Sequence, residues 1–210
     1  MSRRAHAVLM AGVVILFGCA STGRTVRGSG LRSRSLPAVT IHVQRSFRYL
    51  GRFSFALGSD FEGERYVFAD AEGQSLRRLL IVQFERVRTS SPEVYRYSFE
   101  KAERIGSLSF IQNTFAFRGA QNIAAQPRDE GEMTNNFLIS RGFRNPDLWL
   151  AARFVTLGAA DRKSEMIVFY MEGNDQYHLS DLYAGDEPTA AWRRIKPEVV
   201  TRARAAFDVE

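Results

Sequence analysis

The amino-acid sequence predicts an α+β protein: a bent antiparallel sheet of about seven to nine strands, barrel-like or a half barrel, packed against C-terminal helices. Three observations carry this. Residues 39–57 place Val39, Ile41, Val43, Phe47, Tyr49, Phe53, Phe55 and Leu57 at odd positions, with mostly polar residues between them. Period two marks a sheet with one wet and one buried face. Several further β-rich runs follow, separated by turn residues, and helix signals cluster only after Asp186.

The elements are justified in order. Residues 39–57 would span roughly 63 Å as a single strand, so the segment must bend or break, and Gly51 is the expected place. Tyr66–Ala71 forms the next strand, bounded upstream by Gly58-Ser59-Asp60 and Gly63. Leu79–Val87 is apolar on both parities through Leu79-Leu80-Ile81-Val82, which predicts a centre covered on both faces. Tyr95, Tyr97 and Phe99 alternate with polar residues as a strand would. Leu108 and Phe110 are even whereas Phe115 and Phe117 are odd, which implies a bulge or turn near Asn113. Residues 130–143 read as a short helix stopped at Gly142, although Phe137-Leu138-Ile139 fits a strand equally. Trp149–Leu157 and Met166–Glu172 form a hairpin joined by the polar, glycine-bearing Gly158–Ser164. Pro188 leads into a helix over Thr189–Ile195. Pro197 opens a second, with Val199, Val200, Ala203 and Phe207 on one stripe.

The first nineteen residues carry an address. Arg3 and Arg4 precede an unbroken apolar run of eleven residues, Ala7–Phe17, and Leu16-Phe17-Gly18-Cys19 follows at once. That order is a secretory signal, and its end resembles the lipobox of bacterial lipoproteins. The resemblance implies a signal peptide over residues 1–18, cleavage before Cys19 and lipidation of Cys19 as the new N-terminus. It also implies a cell-envelope protein anchored in the membrane, with Ala20 rather than Asp in second place pointing to the outer membrane. The apolar run falls short of the ~20 residues that a spanning helix needs.

Charge follows this division. The whole chain carries +6. Removing Arg3 and Arg4 leaves 27 basic against 23 acidic residues, and residues 37–210 hold 23 of each. The excess sits in Arg24, Arg27, Arg32 and Arg34, within an acid-free stretch rich in Ser, Gly and Arg. Residues 19–36 are therefore expected to be a lipidated cysteine followed by a flexible linker, and residues 37–210 a single α+β domain. A neutral body outside the cytoplasm is a poor partner for nucleic acid.

No P-loop, G-x-S-x-G elbow, H-E-x-x-H or C-x-x-C is present. Cys19, the single cysteine, would be removed from nucleophilic chemistry by a thioether link to lipid, and only His42 and His178 remain beyond the signal. No cofactor, metal or catalytic residue is expected. His178 and Asp181, three apart, share a helical face, and the expected role is a local hydrogen bond at a helix start. Two acidic groups, Asp60-Glu62-Glu64 and Asp129-Glu130-Glu132, lack calcium-loop spacing and are expected to be solvated turn residues.

Sixteen phenylalanines and seven tyrosines could line a hydrophobic ligand cavity or fill a dry core. The candidate lining residues are Phe47, Tyr49, Phe53 and Phe55. A barrel followed by a C-terminal helix on a lipid anchor resembles the plan of bacterial lipocalins, although Gly51-Arg52-Phe53 stands where their G-x-W would be. The aromatic early strands after a lipobox are similar to the half-barrel outer-membrane lipoprotein receptor. The expected function is a membrane-anchored envelope lipoprotein that binds or scaffolds, for a hydrophobic ligand or a protein partner. The alternative is an envelope hydrolase built from scattered carboxylates and His178.

Overall fold

The computed structural model describes residues 23–210. The expected signal peptide and lipidated Cys19 lie outside them. In chain order the elements are β1 (Arg24–Arg27), β2 (Gly30–Ser33), β3 (Val39–Val43), β4 (Arg48–Leu57), β5 (Phe61–Glu72), β6 (Ser75–Val87), β7 (Glu103–Ile105), β8 (Leu108–Arg118), α1 (Glu130–Ile139), β9 (Leu148–Leu157), β10 (Ser164–Asn174), α2 (Leu179–Leu182), β11 (Tyr183–Ala184), β12 (Glu187–Pro188), α3 (Ala190–Ala206) and β13 (Phe207–Val209). The fold is mainly antiparallel sheet with a C-terminal helix.

Seven strands form the main sheet in the order β4-β5-β6-β10-β9-β8-β7. Its two edges, β4 and β7, do not pair with each other, so the sheet is open and not a closed barrel, and of the two expected forms it fits the half barrel. A smaller sheet, β1-β2-β3-β13, and α3 cover one face. Tyr66, Phe68, Leu80, Val82, Phe110, Phe154 and Tyr170 point into this first face and are at most 1 % exposed. Helix α1 covers part of the second face, over Val67, Leu79, Ile81, Trp149 and Met171. The double-sided run in β6 is what this sandwiching requires: Leu79, Leu80, Ile81 and Val82 are all buried. The expected hairpin is β9–β10, with β10 central between β6 and β9.

Residues 39–57 break twice. A turn at Arg45-Ser46 separates β3 from β4, which join different sheets. A bulge then shifts the β4–β5 register between Tyr49 and Gly51, where Gly51 adopts φ +135°. An extra residue in one strand reverses the side-chain alternation beyond it. The single buried face expected for the odd residues is thus corrected. Phe47 and Tyr49 pack on the first face, whereas Phe53 packs against Phe137 of α1 on the second, the two rings tilted by 37°. Arg48, Arg52 and Ser54 are exposed, as the alternation predicts.

Other expectations also need correction. No bulge interrupts β8 near Asn113, since its register against β9 is regular. The parity change arises because Phe110 enters the first face while Phe115 and Phe117 serve the second. Tyr95–Phe99 is not a strand but an extended strap over the second face. The C-terminal region is one helix through Pro197, because Trp192, Ile195, Val199, Ala203 and Ala206 form one unbroken buried stripe. That shared burial outweighs the backbone hydrogen bond a proline forfeits. Phe207 belongs to β13, which pairs with β3. The 130–143 ambiguity resolves as α1, whose N-cap Asp129 accepts from the Glu132 amide at 2.8 Å.

The flexible linker is corrected from Arg24 onward. β1 and β2 form a hairpin laid against β3, with Leu31 fully buried. Arg24 fixes it: Nη1 lies 3.3 Å from Glu64 Oε2, Nε donates to Ser33 Oγ, Nη2 donates to the Leu36 carbonyl, and the guanidinium sits 4.0 Å from the Phe84 ring centre. Glu64 is accordingly 8 % exposed rather than a solvated turn residue. Arg24→Ala should lower the unfolding free energy by about 1–3 kcal/mol in urea titration. Unchanged stability would return this segment to the status of a tether.

Candidate functional site

The second face carries a cavity and a strip of buried ionisable groups, Arg65, Glu85 and Glu165. Its polar positions are set by strand register. Arg65 of β5 lies opposite Gln83 of β6, and two residues on, Glu85 of β6 lies opposite Glu165 of β10.

The cavity, about 350 Å³, lies between the sheet and α1. Its floor is Leu79, Ile81, Phe115, Phe117, Trp149, Phe169 and Met171, drawn from four strands. The roof comes from α1 through Gly131, Thr134, Asn135 and Leu138, and Arg65, Asp129, Glu130 and Asn145 complete the wall. The volume is at the small end of ligand pockets, with mainly apolar walls and few polar groups. A depression of about 370 Å³ at Ser46, Arg48, Asp70 and Gly73 is less apt, because its carboxylate Asp70 is engaged by Arg78 Nε at 2.9 Å.

Arg65 joins sheet and helix. It is 5 % exposed. Its Nε donates to Gln83 Oε1, and Nη1 donates to the Glu130 carbonyl and to Thr134 Oγ1, each at 2.6 Å. Nη2 lies 3.3 Å from Glu130 Oε1, and the guanidinium centre is 5.1 Å from the Phe169 ring centre. Burial lowers its pKa to about 10, opposed by Glu130, so it remains cationic at neutral pH.

Beyond Arg65, Glu85 and Glu165 face each other across β6 and β10, 9 % and 3 % exposed. Directly opposed residues bring their Cβ atoms within ~5 Å of each other, and like charges there repel. Glu85 accepts from Tyr95 Oη and Gln83 Nε2, both at 2.7 Å. Glu165 is hydrogen-bonded to Tyr97, while its Oε2 is buried without a hydrogen-bond partner. Burial raises both carboxyls, Glu165 to about 7, with Glu85 adding to the rise at Glu165. The rings of Tyr95 and Tyr97 stack over the pair. Their strap is held by Arg162, which donates to the carbonyls of Tyr95 (2.7 Å) and Tyr97 (2.9 Å).

The sequence-chosen residues fall elsewhere. None of Phe47, Tyr49, Phe53 and Phe55 borders the cavity. His178 is exposed at the start of α2, its amide donating to Asp181 Oδ2 at 2.7 Å, the local role expected. It lies past the far end of β10, roughly 30 Å along the strand from Glu165. His42 is exposed beside Glu210. Asp129 caps α1, Glu130 pairs with Arg65, Glu132 with Arg128, and Glu62 with Arg88. Among the described residues no group of three or more His, Cys, Asp or Glu side chains could hold a metal ion.

The cavity residues come from distant strands and form no local motif. Glu85 sits inside a run read from the sequence as a strand, whereas Arg65 and Glu165 each stand one residue before the strands read at Tyr66–Ala71 and Met166–Glu172, so their burial left no local signal. No protein-family model, curated protein or solved structure matches the chain.

Proposed function

We propose that this protein is a membrane-anchored envelope lipoprotein whose folded body binds a small, largely apolar ligand between the main sheet and α1. The carrying observation is the 350 Å³ cavity with aromatic and aliphatic walls under a helix that Arg65 holds in place. The seven-stranded sheet acts as a half barrel, strongly bent, and α1 lies across it. Anchorage rests on the lipobox at Cys19 and gives an outer-membrane address. Among the described residues no helix is long and apolar enough to cross a membrane.

Hydrolysis is the less favoured reading. The carboxylates that converge are Glu85 and Glu165, which lie far from His178 and are sealed beneath two tyrosines. A hydrolytic pair needs substrate and water at its oxygens.

Two measurements test the proposal. Isothermal titration calorimetry of the purified protein with toluene should give saturable binding tighter than about 1 mM, abolished by Asn135→Phe, which fills the roof. Absence of saturable binding, or binding that Asn135→Phe leaves intact, overturns the cavity as the site. For the address, the intact mass of protein from its own membranes should show a lipidated N-terminal Cys19; an unmodified cysteine or a retained Met1 overturns it.

A further inference from the structure

We infer that this protein rests on a phospholipid surface through one end of its body, with Leu36 set among the headgroups and Arg34 facing their phosphates. This builds on the anchorage read from Cys19 and adds the face that the anchored body turns to the bilayer.

The position of the anchor selects the end. Gly23 stands four positions after Cys19, and four residues span at most about 14 Å. One strand of the body, the ten-residue β9, is about 33 Å long. The leash is thus much shorter than the body, and it holds the Gly23 end near the headgroups.

Leu36 is fixed at that same end. The Gly23 carbonyl accepts from the Arg34 amide at 2.9 Å, Ser33 Oγ donates to the Ser35 carbonyl at 2.9 Å, and Arg24 Nη2 donates to the Leu36 carbonyl at 3.1 Å. The backbone is pinned, yet the Leu36 side chain is 54 % exposed while Pro37 and Val39 beside it are buried. A leucine left in water forgoes its burial free energy, and one turned to a bilayer recovers it.

The charge here has the matching sign. Pro37 lies against Gly158, whose amide donates to the Ser164 carbonyl at 2.7 Å, and Ser164 is aligned with Arg86. Arg86 and Arg88 share one carboxylate, Glu62: Arg86 Nε donates to Oε1 at 2.7 Å, and Arg88 Nε lies 3.3 Å from Oε2. One positive charge is left over. Arg34, exposed and without an ion-pair partner among the described residues, adds a second. On the adjoining turns Asp60 and Asp161 offset Arg162 and Lys163. Each arginine beside anionic lipid is worth about fivefold in affinity, less at high salt.

The test couples the chain from Cys19, which keeps every described residue, to maleimide-bearing lipid through its single thiol. The vesicles hold phosphatidylcholine and phosphatidylglycerol in equal parts, with chains brominated near the headgroup to quench tryptophan. Trp149 and Trp192 are 1 % and 3 % exposed and report little. Leu36→Trp should lose about half of its added emission. Ile123→Trp should keep nearly all of its own, because Ile123 follows Gln121, which donates to the Asn145 carbonyl near the start of β9, at the other end of the sheet. Adding Arg34→Glu, or using phosphatidylcholine alone, should cut the quenching at position 36 about threefold. On the unaltered protein, amide exchange at Ser35 and Leu36 should slow about threefold on coupling, which decides the matter if Leu36→Trp fails to fold. No quenching at position 36, equal quenching at positions 36 and 123, or unchanged exchange overturns the docking face. Coupling supplies the anchor chemically, so such a failure leaves the lipidated address standing. An unmodified Cys19 in the intact mass overturns the address and this inference together.

Discussion

Replacing Arg65 with methionine should lower the unfolding free energy by about 3–5 kcal/mol, the cost of breaking a buried ion pair by removing one partner. The methionine fills the volume but leaves Gln83 Oε1, the Glu130 carboxylate and the Thr134 hydroxyl without their donor. Those groups hang from both the sheet and α1, so the loss falls on their junction. Amide exchange should therefore quicken most in α1, at Glu130–Ile139. Arg65→Lys should recover only part, because an ammonium cannot reach the same acceptors as the planar fork. Global stability in urea is the measurement; a change below about 1 kcal/mol would mean that α1 stays docked through its apolar side alone.

The second large effect has the opposite sign. Glu165→Gln should stabilise the protein at pH 8 by about 2–4 kcal/mol. The reasoning follows proton linkage. The native carboxyl titrates near 7 against an ordinary value of 4.5, so between those values the native state holds a proton that the unfolded chain has released. Stability then falls as pH rises through that window, and the loss is complete above it. A shift of this size corresponds to about 3 kcal/mol. The carboxamide stays neutral throughout and can donate toward Glu85. Melting temperatures measured from pH 4 to pH 8 should decline for the unaltered protein and lie closer to flat for the variant. Equal slopes for the two would show that Glu165 is already ionised in the native state at low pH.

Both effects sit in a part of the molecule that alternation could reveal only indirectly. Period two locates strands, and the sheet's existence, the β9–β10 hairpin and the double-sided burial of β6 were legible for that reason. Facing is another matter. One extra residue at the Gly51 bulge sent Phe53 to the opposite side from Tyr49, and no count of parity detects an insertion of one. In β8 the converse held: an apparent slip was a regular strand serving two cores. The hairpin at Arg24–Ser33 was hidden by composition, since Arg, Ser and Gly resemble a linker unless Glu64 is known to lie across from Arg24. The cavity was least legible, as its walls are assembled from strands whose neighbours are fixed only by the completed sheet.

That smaller sheet has a consequence for the order of assembly. Its first three strands are contributed by residues 24–43 and its last by Phe207–Val209, so Val43 is aligned with a residue 164 positions further on. Closing a loop of that length costs about 3 kcal/mol more chain entropy than closing the β1–β2 hairpin. The β3 edge consequently waits for its β13 partner until residues 207–209 are in place. Until Phe207–Val209 arrive, the five-residue β3, with Val39, Ile41 and Val43, keeps one edge open to pairing with another chain or to capture by a chaperone.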